Sequence, residues 1–194
     1  MKKIARIIYL TMVLLALNQS EIQDKVIYPR QYFQPIIEQE TMVKEEIMIP
    51  KDKDTKNKTY MDYRLITDKS SPQYKFIQEN CKVSGNGFLM VGDEWYCVAL
   101  GNYFDDDIGT KYIVTLDTGK KIKIIKTELK SDLHTCDLNY QHKIDGSVLE
   151  FLLDTGKLQD QKTENGYLWN GNLNNIDEFK GNIVKIERVI EGLK

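Results

Sequence analysis

Glu150 is the one charged residue in the apolar run Val148-Leu-Glu-Phe-Leu-Leu153. A carboxylate between Val148 and Leu152 on one strand face must be paired or must titrate high, because a lone charge is costly to bury. A carboxyl group of raised pKa in a groove is what general-acid attack on a glycosidic bond requires. The segment Glu128-Leu-Lys130-Ser-Asp132-Leu-His134-Thr135, read as a loop after an Ile-rich strand, spaces further polar groups at every second residue. Glu150 or Asp132 is the candidate acid/base and Glu128 the group that orients it. Lys130, His134 and Thr135 are the candidate substrate contacts. The competing reading of Glu150 is a salt bridge to a lysine, or a strand end in water. This chemistry calls for no metal and no other cofactor.

Three other constellations have simpler explanations. Asp117-Thr-Gly119 and Asp154-Thr-Gly156 look like paired aspartic-protease loops, but each follows an apolar strand, where Asp and Gly belong for turn reasons. Asp105-Asp-Asp107 fits a surface turn as well as a hard-cation site. His134, Cys136 and His142 lack zinc-ligand spacing.

The elements that position these residues are short. Gly87–Val91 and Glu94–Leu100 flank Gly92-Asp93, and Lys111–Leu116 and Lys121–Lys126 flank Asp117–Lys120, so two hairpins are expected. Asn182–Ile190 alternates as a terminal strand. Gln73–Asn80, entered through Ser70-Ser71-Pro72, is the best short helix. Of the three cysteines, Cys97 reads as core packing and Cys81–Cys136 as the candidate bridge.

All four prolines lie at or before Pro72 and all twelve glycines at or after Gly85. Prolines mark a spacer, glycines the turns of a strand-rich domain. Lys2, Lys3 and Arg6 precede the apolar run Ile7–Leu17, which suits a secretory signal or a membrane anchor over residues 1–20. Residues 21–58 then read as an extended linker and 59–194 as the working domain. Lys and Arg number 27 against 29 Asp and Glu, a net charge of −2, which argues against a nucleic-acid partner. The expected location is outside the cytoplasm, secreted or membrane-anchored, with N-terminal membrane contact.

Tyr96-Cys-Val-Ala-Leu-Gly101, Ile108-Gly-Thr-Lys-Tyr112, the Glu128–Thr135 segment and Gly146-Ser-Val-Leu-Glu-Phe151 occur in that order. Together they resemble the three-aspartate (3D) domain of exported bacterial cell-wall proteins, related to lytic transglycosylase A. The resemblance implies an all-β fold, a small closed six-stranded double-psi β-barrel with one short helix. Of the family's three acidic positions, Leu100-Gly101 stands at the first, Glu128 at the second and Glu150 at the third. What it implies in function is a binding or assembly module at the bacterial envelope, or a lytic transglycosylase-like enzyme. The implied partners are peptidoglycan or another envelope polysaccharide, or an envelope protein complex.

Overall fold

Gly92 and Gly119 hold positive φ values of 59° and 82°, which a side chain disfavours, and each turns a hairpin. Between them lie two of the nine strands of the main sheet in a computed structural model that describes residues 43–50, 54–104, 107–158, 162–163, 166–167 and 172–190. These belong to one unit, residues 41–194. The expected leader, residues 21–42 and 51–53 of the expected linker, and Asp105 and Asp106 lie outside the described residues.

In chain order the strands are β1 (Val43–Ile47), β2 (Thr59–Asp62), β3 (Lys82–Val83), β4 (Leu89–Val91), β5 (Trp95–Leu100), β6 (Lys111–Leu116), β7 (Lys121–Leu129), β8 (Glu150–Leu153), β9 (Lys162–Thr163), β10 (Gly166–Tyr167) and β11 (Ile183–Ile190). Helix α1 (Pro72–Asn80) starts where its signals place it. Ser71 caps it by accepting from the Tyr74 N–H at 3.1 Å, and Pro72 opens the first turn. Such a cap contributes about 1 kcal/mol.

Strand β5 is the hub. One edge pairs in parallel with β7, while the other is shared by β4 along Trp95-Tyr96 and β8 along Val98-Ala99. Strand β2 extends β8 in parallel, and β6, β11 and β1 continue outward from β7. The result is one open sheet of nine strands, plus a small β9–β10 hairpin. This corrects the closed six-stranded double-psi barrel. Strand β11 gives one edge to β6 and the other to β1, and β1 pairs with no further strand among the described residues, so the sheet ends in a free edge instead of closing. Strand β1 comes from residues read as linker. Its side chains are largely exposed, and it is held by the ladder with ion pairs Glu45–Arg188 (2.6 Å) and Glu46–Lys185 (3.3 Å).

The rest of that linker is also anchored where it is described. The Thr55 hydroxyl donates to the Ile183 carbonyl (3.1 Å) and accepts from its N–H (2.8 Å). Buried Lys58 donates to the carbonyls of Lys56 (2.8 Å) and Gly181 (2.6 Å). The ordered domain therefore begins before Thr59.

Alternation along β5 divides the core. Tyr96, Val98 and Leu100 join one cluster, where Phe88, Tyr96, Phe151 and Phe179 meet ring against ring at 4.8–5.8 Å. Cys97 faces the other way, into a smaller cluster with Ile77 of α1, Leu89, Ile125 and Leu152. Ala99 follows Cys97 by two residues and so shares the helix side of the sheet.

Candidate functional site

Ala99 pairs with Glu128 on β7 and with Glu150 on β8, and Glu150 pairs with Thr59 on β2. Four adjacent strands thus align Glu128, Ala99, Glu150 and Thr59 in one transverse row. In-register neighbours put their side chains on one face, so two carboxylates stand on either side of a methyl group. Strands one apart from a shared neighbour lie about 10 Å apart, leaving a gap above Ala99 flanked by acid on both sides. All four residues line a groove of about 300 Å³, at the small end of ligand pockets.

Strand β7 continues three residues past the expected Lys126, so Glu128 is on a strand rather than in a loop. The register slips between Val98 and Ala99, a bulge that brings Glu128 opposite Ala99. The groove's other wall is the segment 130–147, which folds back against the sheet. It supplies Lys130, Ser131, His134, His142, Asp145 and Ser147 to the lining. Gly101 lets this wall approach: a Cβ there would overlap the carbonyl oxygen of Asn139, which itself holds a positive φ of 48°.

Burial pushes the Glu128 carboxyl above the ordinary carboxylate range, and the charge of Glu150 pushes the same way. The Leu129 N–H (2.7 Å) and the Gln73 amide of α1 (3.4 Å) oppose the shift by donating to Oε1. Burial lowers Lys130 from about 10.5 to about 8, against the pull of Glu150 and Asp145. Its amine donates to the Ser147 carbonyl (3.0 Å) and hydroxyl (3.3 Å). Asp145 is desolvated, yet the Ser147 N–H at 2.8 Å and His142 Nδ1 at 3.2 Å keep its carboxyl below the usual range.

The low value of Lys130 gives a signed pH dependence. Between about pH 8 and 10.5 the unfolded chain carries a proton on this amine that the folded chain has released, so the contribution of Lys130 to unfolding free energy rises with pH across that window. Lys130→Met should flatten the rise by on the order of 3 kcal/mol at most. Part of the rise should persist, because burial also lowers Lys58 to about 8. Urea denaturation at pH 7.5, 9 and 10.5 checks this, and equal slopes for variant and wild type would refute it.

The six sequence candidates fare differently. Glu128, Glu150, Lys130, His134 and Thr135 all line the groove. Asp132 does not: it is exposed and accepts from the Asn139 side-chain amide, fixing the wall rather than facing the gap. The Thr135 hydroxyl is buried and donates to the Ser131 carbonyl at 3.1 Å, so it braces the wall instead of meeting a ligand. His134 is exposed at the rim, its ring 6.2 Å from that of His142. Thr59, Ala99, Asp145 and Ser147 were missed. The one available signal was Ala99, a small residue in a strand of large ones.

Neither Asp-Thr-Gly triplet is a catalytic loop: Asp117-Thr-Gly119 is a hairpin turn, and Asp154-Thr-Gly156 opens the one-turn helix Thr155–Leu158. Asp117 accepts from the Asn182 amide (2.9 Å), and Asp154 from the Gly156 N–H (3.0 Å) and from Arg64 (3.2 Å). Among the described residues no three His, Cys, Asp or Glu side chains are placed to hold a metal ion. None of the helices among them is long and apolar enough to cross a membrane. Comparison with protein-family models, with curated proteins and with solved structures finds no match to this chain.

Proposed function

We propose that this is an envelope protein whose groove takes a strand of polysaccharide, peptidoglycan foremost, and cleaves a glycosidic bond by acid catalysis. The observation that carries the reading is the placement of Glu128 and Glu150 on either side of Ala99, with Glu128 pushed up by burial. Work outside the cytoplasm is supported by the basic start and apolar run of residues 1–17.

Glu128 is the general acid, which exchanges the roles expected for the two glutamates. Its proton passes to the bridging oxygen as the bond to the anomeric carbon breaks. The carboxylate of Glu150, across the gap, stabilises the oxocarbenium-like centre. A hydroxyl of the same sugar then closes on that centre and returns a proton to the carboxylate left on Glu128. Desolvation of the groove strengthens both interactions. His134 meets the sugar at the rim, while Lys130 and Thr135 hold the wall in place.

A second reading, retention of glycan without cleavage, is favoured by the two hydrogen bonds to Glu128. Donors to a carboxylate stabilise its charged form and weaken it as an acid. The two readings separate when the chain is incubated with purified peptidoglycan. Release of 1,6-anhydro muropeptides supports cleavage. Co-sedimentation without release supports retention alone, and the absence of both release and co-sedimentation would overturn the glycan reading.

A further inference from the structure

Cys81 and Cys97 have no part in the groove chemistry, yet their sulfur atoms lie 3.5 Å apart. Cys81 is the C-cap of α1, its N–H donating to the Ile77 carbonyl, and it is partly exposed. Cys97 is fully buried in the middle of β5. Both pack with the smaller core cluster, whereas Cys136 packs against the larger one. The bridge expected between Cys81 and Cys136 is thus replaced by a different pair of thiols in van der Waals contact.

We propose that Cys81 and Cys97 are a dithiol pair that closes to a disulfide on exposure to a small-molecule disulfide oxidant. Of the two, only Cys81 is reachable from solvent. The hydrogen bond from Cys97 lowers its pKa, and the same contact together with burial raises that of Cys97. Cys81 is therefore the attacking thiolate. It displaces one thiolate from the oxidant to give a mixed disulfide. Cys97 then gives up its proton and attacks the Cys81 sulfur, releasing the second thiolate. Overall, two protein thiols and one oxidant disulfide become one protein disulfide and two small thiols.

The bond joins residues 16 apart in sequence and fastens the end of α1 to the strand that carries Ala99. It thereby fixes the helix that presents Gln73 to Glu128. The pairing does not depend on the proposed function, since it follows from sulfur positions alone.

The test uses the full reduced chain treated with oxidised glutathione, then alkylated and mapped by mass spectrometry. One of the three thiols, Cys136, is expected to remain alkylatable, with the Cys81 and Cys97 peptides linked and two hydrogens lighter. Oxidation should raise the thermal midpoint by about 5–10 °C in wild type and in Cys136→Ser, reversibly with dithiothreitol. Cys81→Ser, which leaves the buried sulfur in place, should show no such shift. Three free thiols after oxidation, a link to Cys136, or glutathione retained on Cys81 would each overturn the proposal.

Discussion

Glu128→Gln is expected to lower glycan release by about 10²–10⁴-fold while leaving the thermal midpoint of the domain nearly unchanged. Glutamine has the shape of the acid and keeps an oxygen for the Leu129 N–H and the Gln73 amide, so the local hydrogen bonds survive. What it cannot do is give up a proton to a leaving oxygen. Glu150→Gln should also depress release, because the charge that stabilises the cationic centre is removed. The wild-type pH profile should fall on its alkaline side as Glu128 ionises. That limb lies above the ordinary carboxylate range, since burial raises this group. Glycan binding by Glu128→Gln should survive, measured by co-sedimentation with peptidoglycan. Full release by the variant would end the case for Glu128 as the acid.

Gly101→Ala should cost about 3 kcal/mol or more, the range in which a well-packed contact is forced apart. The added Cβ would occupy the space of the Asn139 carbonyl oxygen and come within 2.5 Å of its side-chain oxygen. Backbone on both sides of a clash leaves no flexible tip to move aside. The segment 130–147 would have to lift from β5, taking with it the wall that carries Lys130, His134 and Ser147. Thermal denaturation should show a midpoint lower by roughly 6–12 °C. An unmoved midpoint would mean that the wall is not held against the sheet at Gly101. Gly85→Ala is the control, because nothing lies within 4 Å of the added group.

These two sites were unequally visible in the sequence. Glu150 stood out because a charge in an apolar strand breaks the pattern, and Glu128 because it followed an alternating one. Asp132 was chosen on the same charge spacing, but it turned to the Asn139 amide instead. Spacing along a loop carries no direction, because a loop has no fixed period. Gly101 gave no sign of the close approach it permits, since its neighbour Asn139 lies 38 residues further along the chain.

The closed barrel failed through a strand that looked like linker. Val43-Lys-Glu-Glu-Ile47 has no buried face of its own, and its partner Val189 is 145 residues from Lys44. A strand held by a ladder and ion pairs leaves little hydropathy pattern, so its membership could only be seen once β11 was in place.

The sequence by itself determined the local elements: the Ser71-Pro72 helix start, the Gly92 and Gly119 turns, and the alternation of β7 and β11. It also singled out Glu128, Asp132 and Glu150 as the candidate acids, without saying which of them share a groove. These depend on near neighbours, whose chemistry is written in order along the chain. The tertiary structure decided that both acids face one groove across Ala99, that Cys81 meets Cys97, and that the sheet stays open. Each of those is a pairing between distant segments, set by which edges and faces remain free after local structure has formed.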